Sequence, residues 1–147
     1  MSRKRTIDAP TERVWELVSD PHSLPRWWPK TTRVEDVRDR KGGPGTEWTS
    51  VLSTEAGRSV RADYRCTASS VPTRYAWEQA LEGSPFERVL RSAEVAIDLA
   101  DRGGSTEVTV TSSETLRGLS RLGGTMMRGA ARDRLDEALD GIERALT

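Results

Sequence analysis

The chain has 147 residues, and its 23 Lys plus Arg balance 23 Asp plus Glu, leaving a formal net charge of zero with one His. That length suits one domain over residues 1–147 with a core that needs neither disulfide nor metal, and the balanced charge leaves no field to draw it to nucleic acid or an anionic membrane. No run approaches the roughly 20 apolar residues of a membrane span, and the start runs directly into charge without a signal-peptide apolar segment. The expectation is a cytoplasmic monomer or homodimer with no nucleic-acid partner and no stable membrane anchoring.

Arg3-Lys4-Arg5 is too short a basic run to anchor anything and reads as a solvated edge. Residues 3–7 around it predict a first strand. Asp8-Ala9-Pro10-Thr11-Glu12 then has helix-start chemistry, because Pro10 suits the first helical position and the acids favour the positive end of the helix dipole. Val14, Trp15, Leu17 and Val18 give that helix one apolar side, and Asp20-Pro21 ends it. A second short helical piece carries Leu24, Trp27 and Trp28 at i, i+3 and i+4, limited by Pro25 and Pro29.

From residue 31 to 116 the apolar period changes to two, and Gly-, Pro- and Ser-rich breaks divide the stretch into about six strands. The clearest strand alternates Val60, Ala62, Tyr64, Cys66 and Ala68 with polar residues, the pattern of a half-buried antiparallel strand. Cys66, the single cysteine, reads there as a small buried hydrophobe rather than a nucleophile. Val95, Ile97 and Leu99 followed by Val108 and Val110 predict a hairpin around Arg102-Gly103.

The last part of the chain returns to helical spacing, with Met127, Ala131, Leu135, Ala138, Ile142 and Ala145 on one side of a long amphipathic helix. Its outer side offers Arg132 with Asp136 and Asp140 with Arg144 as i, i+4 pairs. Gly118, Gly123, Gly124 and Gly129 make its start loose: either the helix begins near residue 125, or the glycines make room for a ligand entrance beside Met126 and Met127. Consecutive strands without crossover helices exclude a doubly wound fold, so the class is α+β, an antiparallel sheet with one face covered by the long helix.

Ile7-Asp8-Ala9-Pro10-Thr11-Glu12-Arg13-Val14-Trp15, Ser19-Asp20-Pro21, Leu24-Pro25-Arg26-Trp27-Trp28-Pro29 and the Gly-rich approach Gly42-Gly43-Pro44-Gly45-Thr46-Glu47-Trp48, in this element order, resemble the polyketide cyclase/dehydrase and lipid-transport (START-like, Bet v 1-like) superfamily. The resemblance covers nearly the whole chain. It implies a helix-grip fold, with an antiparallel sheet of about seven strands wrapped around a long C-terminal helix and two short helices after the first strand. It also implies a cavity between sheet and helix for an apolar small molecule. These matching residues are packing residues, and one fold hosts many activities.

Strand parity predicts which residues face that cavity. A two-residue turn at Arg102-Gly103 sets Leu99 opposite Thr106, Ile97 opposite Val108, Val95 opposite Val110 and Arg91 opposite Glu114. The other breaks, read as turns, set Trp77 opposite Arg91, Tyr64 opposite Trp77 and Trp48 opposite Tyr64, which makes one inward row. An inward Arg and Glu are costly unless paired or wetted, so they are candidates for orienting a polar group of a ligand; the alternative is a frayed strand end in solvent. The ligand-binding candidates are therefore Trp48, Tyr64, Trp77, Arg91 and Glu114, with Val95 and Val110 on the same faces and Met127 at the start of the helix. Trp15, Trp27 and Trp28 read as core, Trp28 being the one within reach of a cavity mouth.

His22, the single histidine, lies in a Pro-flanked turn, so no two-His metal site can form and a Ser-His-Asp triad is not expected, and Gly42-Gly43-Pro44-Gly45 lacks the Lys of a phosphate-cradling loop. The expectation is no metal and no cofactor. Three functions stay open: binding or transport of an apolar small molecule; a cyclase, aromatase or dehydrase in which Arg91, Glu114 or Tyr64 polarises a carbonyl or moves a proton; and, by analogy, a co-chaperone-like interaction module.

Overall fold

The computed structural model describes residues 1–38, 43–54, 56–117 and 124–147, without the side chains of residues 124–128. Gly42, Glu55, Gly118, Gly123 and the side chains of Met126 and Met127 lie outside the described residues. The chain runs β1 (Ser2–Ile7), α1 (Thr11–Val18), a 3-10 turn (Pro21–Ser23) leading into α2 (Leu24–Trp27), β2 (Thr31–Arg38), β3 (Glu47–Ser53), β4 (Ser59–Ser70), β5 (Arg74–Ala80), a second 3-10 turn (Pro85–Arg88), β6 (Leu90–Asp101), β7 (Thr106–Leu116) and α3 (Gly124–Leu146). The strands form one seven-stranded sheet in the order β1-β7-β6-β5-β4-β3-β2, with every neighbouring pair antiparallel. This is the helix-grip arrangement that the period changes and the resemblance predicted.

Local chemistry sets the corners. Pro10 caps α1 in an extended conformation (φ −63°, ψ 149°) rather than entering the helix. Asp20 accepts a hydrogen bond from the His22 backbone N–H at 3.0 Å and so starts the turn into α2. The apolar sides of the helices meet the inner face of the sheet: Val14, Val18, Trp27, Leu135, Ala138, Leu139 and Ile142 pack with Tyr75, Ile97, Val108 and Val110, all essentially inaccessible to solvent. Each such aliphatic side chain contributes about 1.5–3 kcal/mol of burial. Gly141 lets α3 cross α2 at contact distance, because a Cβ at this position would lie 2.7 Å from the Trp27 Cα and against its carbonyl oxygen.

The basic start of the chain is not a free edge. Arg3 pairs with Asp136 at 2.8 Å, and Arg5 with Asp140 at 2.6 Å and Glu143 at 2.5 Å, so β1 is tied to the flank of α3. Asp136 and Asp140 thus reach across to the strand instead of along their own helix to Arg132 and Arg144. The neighbouring strand offers an extended guanidinium at fixed height, which i, i+4 reasoning on an isolated helix does not include.

Most of the predicted faces hold, while several of the predicted registers shift. The β6–β7 turn occupies four residues, with Gly103 and Gly104 at φ 71° and 98° and the Arg102 N–H bonded to the Ser105 carbonyl at 2.8 Å. Leu99 therefore lies opposite Val108, Ile97 opposite Val110 and Val95 opposite Ser112. A slip of two residues leaves every side chain on its own face and changes only its neighbour. In β4 the alternation persists to Cys66, where a bulge before Ala68 brings Ser69 opposite Tyr75.

Candidate functional site

Across the inner face, Trp48 lies opposite Tyr64, and Tyr64 opposite Gln79. Gln79 lies one step beyond the last β5–β6 pair, Glu78 with Glu94, which brings it level with Ala93, and Ala93 lies opposite Glu114. The row is thus Trp48, Tyr64, Gln79, Ala93, Glu114, in which Gln79 and Ala93 occupy the places that tight turns assign to Trp77 and Arg91. The displacement has two local causes. The β4–β5 turn occupies residues 71–73 and is followed by the bulge between Cys66 and Ala68, which together set Gln79 opposite Tyr64; the β5–β6 connection is no tight hairpin but carries a 3-10 turn, capped by the Ser84 hydroxyl accepting from the Phe86 N–H at 3.2 Å, which moves Arg91 out of the row.

At this level the sheet opens into a cleft of about 580 Å³. Leu52, Val60, Phe86, Val89 and Leu90 give it apolar walls, Trp28, Pro29 and Lys30 stand on one side, and Tyr64, Gln79, Glu114 and Arg134 supply its polar groups. Its volume falls within the range that holds drug-sized molecules. Arg134, from α3, donates through Nη2 to the Glu114 carboxylate at 2.7 Å and to the Ser112 hydroxyl at 3.0 Å. This pair meets the requirement that an inward carboxylate be matched, with a helix residue as the partner rather than Arg91.

Tyr64 lines the cleft and stacks on Trp48, with ring centroids 6.0 Å apart and 17° between planes. Burial pushes its phenol from 10.0 to about 12; the Arg134 guanidinium opposes the rise and the Glu114 carboxylate adds to it. Tyr64 therefore keeps its proton at any ordinary pH and remains a donor. Burial also pushes up the Cys66 thiol, which keeps this cysteine from being a ready nucleophile.

The other residues singled out in the sequence lie elsewhere. Trp48 and Trp77 are buried beneath the cleft in an aromatic cluster, Trp77 with its centroid 6.1 Å from Trp48 and 5.3 Å from Trp28. These rings fill space between the sheet and the helices. Val95 and Val110 belong to the same packed core. Arg91, at a bulge between Leu90 and Ser92, is turned out to a separate surface groove with Glu87, Glu94 and Arg117, and lies opposite neither Trp77 nor Glu114. Met127 lies on α3, with its side chain outside the described residues.

Sequence reasoning missed Gln79, Phe86, Leu90 and Arg134. Gln79 carried a usable signal, since it shares the inward parity of Tyr75 and Trp77. Arg134 borders the apolar stripe at Leu135, where a long side chain can reach over the sheet, yet nothing in the helix pattern names Glu114 as its partner.

A family model described as polyketide cyclase/dehydrase and lipid transport matches residues 1–147. No curated protein sequence matches the chain. Among solved structures, a START superfamily protein from Mycobacterium smegmatis superposes with a TM-score of 0.80 at 16% identity, covering 99% of this chain and 95% of that one. The Zhui aromatase/cyclase from Streptomyces sp. R1128 gives 0.78 at 17% identity over 99% and 92%. A Thermus thermophilus protein gives 0.78 at 20% identity over 99% and 95%. At such identities the likeness is one of fold.

Proposed function

The chain belongs to the polyketide cyclase/dehydrase and lipid-transport family, and from that premise we propose that it binds or carries a small apolar ligand, a lipid, polyketide or similar metabolite, in the cleft beside α3. The observation that carries this reading is a cleft of about 580 Å³ with apolar walls whose polar groups are already organised, Arg134 being held by both Glu114 and Ser112. A preorganised polar group in an apolar site orients a ligand without the cost of ordering side chains on binding.

Native mass spectrometry of the purified protein, followed by titration with an uncharged environment-sensitive dye such as Nile red, tests it. A retained apolar mass, or saturable dye binding that Glu114→Ala weakens several-fold and Arg91→Ala leaves unchanged, supports the cleft as the site. Absence of both a retained mass and saturable dye binding overturns it. Equal loss in the two variants moves the site to the groove at Arg91.

A second reading, an enzyme of cyclase, aromatase or dehydrase type, is favoured by one feature. The Tyr64 phenol, a donor that stays protonated, lines the same cleft as a fixed guanidinium, and such groups stabilise a carbonyl oxygen as it gains charge during ring closure. Turnover of a poly-β-ketone that is lost in Tyr64→Phe with binding retained would select this reading. Binding without turnover selects the carrier.

A further inference from the structure

Three charged side chains line the cleft: Lys30, Glu114 and Arg134. Arg134 and Glu114 neutralise one another at 2.7 Å, whereas among the described residues no carboxylate pairs with the Lys30 ammonium. The cleft therefore carries one unmatched positive charge, on an exposed residue, beside the apolar walls of Leu52, Val60, Phe86, Val89 and Leu90. Lys30 holds a left-handed backbone, φ 64°, which is costly for any residue with a Cβ and would suit a glycine better. Two anchors fix it there. The Ser53 N–H donates to the Lys30 carbonyl at 2.8 Å, and the ring of Trp28, two residues earlier, packs edge-on to Trp77 at 5.3 Å. Lys30 also borders two grooves toward α3 that hold Asp133, Glu137 and Asp140, none of them paired with it.

We infer that Lys30 is a specificity-determining residue, and that the cleft takes a small amphipathic acid, its apolar body between the walls and its carboxylate against Lys30 at the rim. The inference rests on the cleft being a ligand site and adds to it the charge of the ligand and the end that stays outermost. One unmatched cation suits a monovalent anion, because a doubly charged phosphate would leave surplus charge near Glu114 and Glu137. Water screens a contact at an exposed rim, so the preference is a few-fold and falls with salt.

Three probes of matched size decide the matter: 2-naphthoate, 2-naphthalenemethanol and 2-naphthylmethylamine, which at neutral pH are an anion, a neutral molecule and a cation. Each is titrated against protein loaded with Nile red. The expected order is acid, alcohol, amine, with the acid displacing the dye about tenfold more tightly than the amine at low salt, about threefold for the attraction and about threefold for the repulsion. High salt should shrink that ratio. Lys30→Gln, and Lys30→Gly with its better match to the left-handed backbone, should bring the ratio near unity, and Lys30→Glu should invert it, with melting temperatures confirming that the variants fold. Equal binding of acid and amine by the unaltered protein, tighter binding of the amine, or a ratio that survives Lys30→Gln and Lys30→Gly overturns the inference, as does failure of all three probes to displace bound dye. In each of these cases Nile red still binds and the cleft stands as a site. A retained molecule that keeps the dye out serves as the probe instead, and overturns the inference if it is not an acid. If no dye binds and no mass is retained, the cleft reading falls and the inference falls with it.

Discussion

Tyr64 shows how much one residue's surroundings can be read from a strand pattern. Its inward parity and its pairing with Trp48 follow from the alternation of β4 and the short β3–β4 turn, and the structure has both. Its proton affinity depends on a depth of burial and on two charges, Arg134 and Glu114, that lie far away in the chain. The consequence for stability has a definite sign. Below pH 10.0 the phenol is protonated in both folded and unfolded chains; between 10.0 and about 12 the unfolded chain loses the proton and the folded one keeps it. Stability is therefore whole below this window and falls through it, by at most about 1.4 kcal/mol per pH unit. Urea unfolding at pH 9 and pH 11 should show a larger loss for the unaltered protein than for Tyr64→Phe, and parallel losses would refute the assignment. Gln79 is the opposite case: its face was legible, but its place in the cleft was not, because an amide two positions after an inward Trp looks like the polar end of a fraying strand.

At the scale of elements, helices and strands were legible because each has its own apolar period, while the contacts between them were not. Glycines illustrate this. Gly129 and Gly141 both lie within α3, yet the space around them differs completely. Nothing lies within 4 Å of a Cβ built at Gly129, whereas one at Gly141 would collide with the Trp27 backbone. Gly129→Ala should therefore stabilise the protein by about 0.5–1 kcal/mol through helix propensity, and Gly141→Ala should destabilise it by about 1–3 kcal/mol by pushing α3 off α2. Chemical denaturation of the two variants side by side checks both signs. The salt bridges from β1 to α3 were equally hidden. They depend on which strand ends up beside the helix, and their worth is small, about 0–1 kcal/mol each, since Arg3 and Asp136 are 44% and 35% exposed.

For the whole molecule, the order of elements carried the architecture: six strands in succession after two short helices leave little choice but a meander closed by the last helix. Where the resemblance implies a cavity between sheet and helix, Trp27, Trp48 and Trp77 occupy much of that layer, and the open volume is a cleft to one side. Periodicity reports which way a side chain points, and it is silent on how much room remains once large rings have met.

The placing of β1 has a further consequence, in time rather than in space. Strands β2 to β7 each pair with a sequence neighbour across a short connection, but β1 docks on β7 with Ser2 meeting Thr111, 109 positions along the chain. Closing so long a loop is entropically dear until β7 is already held in the sheet. β1 is therefore expected to join the sheet after β7. Ile7, buried at the end of β1, reports on this order: Ile7→Val should speed unfolding and leave the refolding rate unchanged. In a chevron plot only the unfolding arm would move, and a slowed refolding arm would put β1 in the nucleus instead.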